Sequence, residues 1–171
     1  RACDRLGALG DREVVLCCNA DVSFFDDHPV IAELREGLLV HRDWGTIGPR
    51  QVDGNGRLTA PGIFGTHANA RHNGFRRPDK GQCSAVRTDS VYVAGSCLAM
   101  RREVWDEFTI NSVYEKHAEG EPGPWLPCWH FEGDSALGYL SAALGYKNVF
   151  LGTSLARHEW HTSSPKHDKQ S

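Results

Sequence analysis

The run Val14-Val15-Leu16-Cys17-Cys18 is apolar without interruption and stops at Asn19-Ala20-Asp21. Strict alternation would mark a strand with one wet face. Its absence, together with the valines, predicts a strand buried on both faces, the condition of a parallel sheet held between helix layers. In open α/β sheets the carboxyl ends of the strands open into the ligand crevice, which puts Asn19 and Asp21 where a metal and a phosphate are held. Asn and Asp after a strand also suit a plain turn, and Asp26, Asp27 and Pro29 follow closely.

A chain of 171 residues suits one domain, expected over 1–162, with a polar, disordered tail over 163–171. Nineteen basic against 22 acidic residues leave a net charge of -3, so no global field recruits nucleic acid or an anionic membrane. No apolar run reaches the roughly 20 residues of a membrane span, and the start lacks the apolar core of a signal peptide. The expectation is a soluble, cytoplasmic protein. The cysteines, at 3, 17, 18, 83, 97 and 128, form no CxxC pair, which argues against a zinc ribbon or a disulfide framework. Cys17 and Cys18 read as core. Because the chain opens at Arg1 inside a helical pattern, it also reads as a piece of a longer reading frame.

A short helix is predicted over residues 2–10. Asp26-Asp27-His28-Pro29 then starts a helix with Ile31, Leu34, Leu38 and Leu39 on its buried face. Trp44 to Pro49 reads as a strand and Asp53-Gly54-Asn55-Gly56 as a hairpin turn. From Ala60 to Ser90 periodicity fades into a long Gly/His/Arg-rich stretch, either a solvated loop or a lid whose cations meet a phosphate. Val91 to Met100 is apolar again, followed by a helix with Val104, Trp105 and Phe108 on one side. Residues 109–131, broken by Gly and Pro, cannot be regular, yet hold Trp125 and Trp129. The last helix begins near Asp134 or Ser135, buries Leu137, Leu140 and Leu144, and ends at Gly145. A strand follows at Lys147 to Leu151, before Arg157-His158-Glu159-Trp160-His161.

In this order the chain resembles the family 2 glycosyltransferases of the GT-A fold. Three matches carry the resemblance: the strand ending Asn19-Ala20-Asp21, similar to that family's DxD motif; the run Val93-Ala94-Gly95-Ser96-Cys97-Leu98-Ala99-Met100-Arg101-Arg102-Glu103-Val104-Trp105; and the helix opening at Asp134, then a strand and His158. The resemblance implies an α/β fold, GT-A-like (Rossmann-like), with a mixed, mostly parallel sheet flanked by helices. It also implies N-terminal truncation, since the family's opening βαβ unit, which holds the nucleotide base, has no counterpart before Arg1. Two positions depart from the family's pattern. Gly133 stands where its Glu would be, leaving Glu132 one residue out of step, and Ala136 replaces its second Asp.

The implied reaction is inverting sugar transfer from a nucleotide-sugar donor to a carbohydrate or other hydroxyl-bearing acceptor. Its implied cofactor is Mn²⁺ or Mg²⁺, which steadies the departing diphosphate. On this resemblance Asp21 and His158 bind the metal, with His161 as the lesser alternative to His158. Asn19 and Asp21 contact the donor. Asp134 is the general base with Glu132 in reserve, and Trp125, Trp129 and His130 meet the acceptor. A helix N-terminus favours a carboxylate through capping and the macrodipole alone, which would hold Asp134 at a low pKa and make it a weak base. Two rivals stand beside this reading: a non-catalytic relic that binds carbohydrate or a partner chain, and a metal-dependent phosphodiesterase using Asp21, Asp134 and His158, supported only by the Arg/Lys cluster between 71 and 87.

Overall fold

The computed structural model describes residues 14–66, 68–110 and 133–159. In chain order its elements are β1 (Val14–Cys18), β2 (Val22–Phe24), α1 (Val30–Val40), β3 (Trp44–Val52), β4 (Leu58–Ala60), β5 (Ile63–Thr66), β6 (Asn69–His72), β7 (Val86–Ser90), β8 (Cys97–Arg101), α2 (Arg102–Ile110), α3 (Gly133–Ala143) and β9 (Lys147–His158). The long strands β3 and β9 lie side by side at the centre. The main sheet runs β1-β8-β3-β9-β2, with β4 also on β3 and β7 also on β9, while β5 and β6 form a separate hairpin.

This arrangement corrects the expected sheet. Among the described strands only β3 and β9 are parallel; β1–β8, β8–β3, β3–β4, β7–β9 and β2–β9 are all antiparallel. The chain is strand-rich and its sheet mixed and predominantly antiparallel, not the mostly parallel Rossmann-like sheet the resemblance implied. The reason lies in what an apolar run can report. Val14 and Leu16 pack against one apolar cluster, with Val30, Leu34, Leu38 and Ile47, whereas Val15 and Cys17 join another, with Met100, Val104, Phe108 and Leu137. Both faces of β1 therefore meet apolar residues, of α1 on one side and of α2 and α3 on the other, but only Cys17 is buried, short of the strand buried on both faces that the run predicted. Covered faces do not fix the direction of the neighbouring strand, and β1 pairs antiparallel with β8.

Pro49 explains the most consequential irregularity. Proline offers no N–H to a ladder and is tolerated in a sheet where the ladder is interrupted. At that point the β9 partner of β3 jumps, from Leu151 opposite Pro49 to Leu155 opposite Arg50. The intervening bulge turns the end of β9 toward β2, where His158 pairs with Val22. The strand expected to stop at Leu151 thus continues to His158.

Helix α1 buries Val30, Leu34 and Leu38, one position in four, and leaves Ile31 half exposed, so Ile31 does not belong to the expected face. The carboxylates before it do not cap it, as its N-cap is Pro29 and no side chain makes a capping bond. Its C-terminus is closed from a distance: the Arg101 guanidinium of β8 donates to the carbonyls of Trp44 (2.6 Å), Leu38 (2.6 Å) and His41 (2.8 Å). The Asp53 turn forms as expected, with Asp53 Oδ1 accepting from the Asn55 and Arg57 amides. The stretch expected to be irregular from Ala60 to Ser90 contains β5, β6 and β7. Helix α2 buries Val104, Trp105 and Phe108 as its spacing predicts.

In α3, Leu137 is buried and Leu140 partly so, but Leu144 lies exposed beyond the helix end, which closes at Gly145 with φ +88°. Gly138 lets α3 lie directly on the chain before β8: a Cβ there would stand 2.8 Å from Tyr92 Cα and 3.1 Å from the Val91 carbonyl oxygen. Gly138→Ala must push the helix off, and should destabilise the fold by about 1–3 kcal/mol in urea denaturation. An unchanged midpoint would show that the helix yields freely. Among the described residues no helix is long and apolar enough to cross a membrane.

Candidate functional site

One tight turn organises the site. The Cys97 amide donates to the Ala94 carbonyl at 3.3 Å, leaving Gly95 and Ser96 at the centre of a four-residue turn that leads into β8. Each central residue holds a different part of the chain. The Gly95 amide donates to Asp134 Oδ2 at 3.1 Å. The Ser96 carbonyl accepts from the Asn19 amide at 2.8 Å, and its hydroxyl donates to Gln51 Oε1 at 2.7 Å. Asn19, just past β1, and Asp134, in the first turn of α3, are thereby fastened to adjacent residues.

The second half of the site lies where β2 meets the end of β9. His158 Nε2 stands 3.4 Å from Asp21 Oδ1, with both side chains largely withdrawn from solvent. The Asn19 carbonyl accepts from the Val22 amide at 3.2 Å and the Asp21 carbonyl from the Glu159 amide at 3.3 Å, so the Asn19-Ala20-Asp21 segment is bonded at both its ends. Glu159 reaches on to the Asp53 turn, its carboxylate accepting from the Gly54 amide at 3.3 Å. Gln51, fully buried, pairs with Ala156 two positions before His158 and so connects the two halves through β3.

A carboxylate and an imidazole form a donor set suited to a borderline divalent cation such as Mn²⁺. Two protein ligands do not complete a shell. Among the described residues no group of three or more His, Cys, Asp or Glu is disposed to hold a metal. The pair would hold a cation only with further ligands, which oxygen-seeking divalent ions commonly take from water or phosphates.

Burial pushes the Asp134 carboxyl above its ordinary value, against the opposing pull of the Gly95 and Ser135 amides. The net direction is thus opposite to that expected from capping and the helix dipole. Asp134 Oδ1 does accept from the Ser135 amide at 2.9 Å, but withdrawal from water outweighs both bonds. A carboxylate held at a raised pKa is a better proton acceptor than an ordinary one.

Of the residues singled out in the sequence, the structure brings Asp21 to His158 and ties Asn19 and Asp134 to one turn. Glu132, Trp125, Trp129, His130 and His161 lie outside the described residues. Ser96, Gln51 and Glu159 were not singled out as site residues. Ser96 stands inside the run that carried the resemblance, whereas nothing local to Gln51 marks it, since its place follows from the β3–β9 register. Neither a protein-family model nor a curated protein sequence matches the chain.

Proposed function

We propose that the chain transfers a sugar from a nucleoside-diphosphate donor to a hydroxyl-bearing acceptor. The observation that carries this reading is the joint tethering of Asp134 and the Asn19–Asp21 segment to Gly95 and Ser96, with His158 delivered to Asp21 by the bulged end of β9. A base and the segment leading to the anion-side pair, fastened to one turn, would supply what the reaction requires, namely removal of a proton from the acceptor and binding of the diphosphate.

Asp134 takes the acceptor hydroxyl proton as the oxygen bonds to the anomeric carbon. The bond from that carbon to the diphosphate oxygen breaks, and its electron pair leaves with the diphosphate. Attack from the face opposite the leaving group inverts the anomeric centre. Asp21 and His158 bind on the diphosphate side, where a divalent cation when bound supplies Lewis-acid stabilisation of the developing charge. Asn19 orients the donor through its side chain, its backbone being fixed to Ser96. Trp125, Trp129 and His130 are the residues assigned to the acceptor.

A thermal-shift titration with Mn²⁺ and UDP, GDP or dTDP tests the reading, because a ligand selective for the native state raises the melting temperature. One nucleotide should give a Mn²⁺-dependent rise that Asp21→Ala removes. A cooperative melt unmoved by all three would overturn the donor site. Ala136, at the position of the family's second Asp, favours a second reading as a non-catalytic binder. That alternative predicts the same shift with no sugar transferred.

A further inference from the structure

Cys18 ends β1 and Cys97 begins β8, and the two stand directly opposite each other in the antiparallel ladder with their sulfurs 3.5 Å apart. Their neighbours fix the type of pair. Asn19 and Ser96 are joined by an N–H to carbonyl bond, and the two kinds of antiparallel pair alternate, so Cys18 and Cys97 form a non-hydrogen-bonded pair. Such pairs have Cα atoms about 4.5 Å apart and side chains close together, within the range that a disulfide spans. Cys17, one residue away, packs on the opposite face of the sheet with Leu98 and Met100.

The two thiols differ in access. Cys18 is exposed, whereas Cys97 is wholly buried behind it. Contact between the sulfurs lowers the pKa of Cys18; the same contact, together with burial, pushes Cys97 up. The reachable sulfur therefore has the greater thiolate character, and its partner waits within bonding reach.

We propose that Cys18 and Cys97 are a reversible dithiol–disulfide site that reacts with a peroxide, Cys18 attacking and Cys97 resolving. The Cys18 thiolate bonds to one peroxide oxygen as the O–O bond breaks, giving a sulfenic acid and a hydroxide that is protonated to water. Cys97 sulfur then bonds to Cys18 sulfur, and the sulfenic hydroxyl leaves with the Cys97 proton as a second water. The two thiols together lose two electrons, which reduce the peroxide. A dithiol reductant returns the disulfide to two thiols by exchange, itself becoming a disulfide. The new bond would join the residue before Asn19 to the residue after Ser96, cross-linking the base of the site.

The test uses the full chain, wild type and Cys18→Ser, treated with hydrogen peroxide, alkylated under denaturing conditions and mapped by mass spectrometry. The wild type should lose about 2 Da and yield a Cys18–Cys97 linked peptide that dithiothreitol separates. Cys18→Ser, an exposed and nearly isosteric change, should leave Cys97 fully alkylated. Cys97→Ala should instead accumulate a Cys18 sulfenic acid that dimedone traps. Oxidation of Cys18 past sulfenic acid with Cys97 still free, a Cys17–Cys18 link, or no reaction at Cys18 would each overturn the proposal. The mapping needs no sugar donor, so it stands or falls apart from the transferase reading.

Discussion

Asp134→Asn is expected to lower sugar transfer by about 10²–10⁴-fold while leaving Mn²⁺ and nucleotide binding unchanged. The substitution keeps the shape of the side chain and one acceptor oxygen for Gly95 or Ser135, and removes the ability to take a proton. Its effect on stability separates this role from capping. The folded-state pKa of Asp134 is raised by burial, so between the ordinary carboxylate value and the raised one the native state binds more protons than the unfolded state. Stability then falls as pH rises through that window. The variant escapes this loss but forfeits one hydrogen bond, of about 1 kcal/mol. Near neutral pH its stability should lie within about 1 kcal/mol of the wild type, and the comparison should move in its favour as pH rises from about 4. Kinetics, a nucleotide titration and melts across pH check all three parts. Loss of folding and binding together would identify Asp134 as a structural cap.

Arg101→Met should destabilise the protein by about 3–5 kcal/mol, lowering the melting temperature on the order of 10 °C. The last turn of α1 contains no basic residue, yet its final carbonyls need donors. Arg101, almost fully buried, provides them from β8 and bonds Trp44 at the start of β3 with the same guanidinium. Bonds from a charged donor are worth roughly 1.5–3 kcal/mol each, and methionine fills the space while taking that donor from three carbonyls, of which the His41 carbonyl keeps the Trp44 amide. Arg101→Lys should recover only part of the loss, since a single ammonium cannot reproduce the planar fork that reaches three oxygens. Urea denaturation of the two variants checks the order. A methionine variant as stable as the wild type would mean that water reaches those carbonyls.

The parts of the fold legible in the sequence were those whose cause is local. The Asp53 turn is fixed by side-chain bonds to its own backbone, and the faces of α1 and α2 largely by their spacing of apolar residues. The direction of the sheet was not legible, because the run from Val14 to Cys18 reports two covered faces and is indifferent to how β8 runs beside it. Nor was β7, whose exposed Val86-Arg87-Thr88-Asp89 has no apolar alternation and becomes a strand by pairing with β9. In the candidate site, Asn19, Asp21, Asp134 and His158 were singled out from motif order. Gln51 and Glu159 owe their places to register and to a turn 105 residues away, for which no local pattern exists. Arg101 illustrates the same limit: it stands in an Arg-Arg-Glu segment that resembles a helix start, whereas its bonds go to another element.

The bulge opposite Pro49 has a kinetic consequence. His158 stands beyond the register shift of the parallel β3–β9 pair, and parallel pairs between distant segments form slowly because loop-closure entropy is lost before contacts offset it. The Asp21–His158 pair should therefore be among the last features to appear during refolding. On the proposed transferase reading, Mn²⁺ affinity recovered after dilution from denaturant would lag behind helix formation, making the ion a clock for the completion of the native topology.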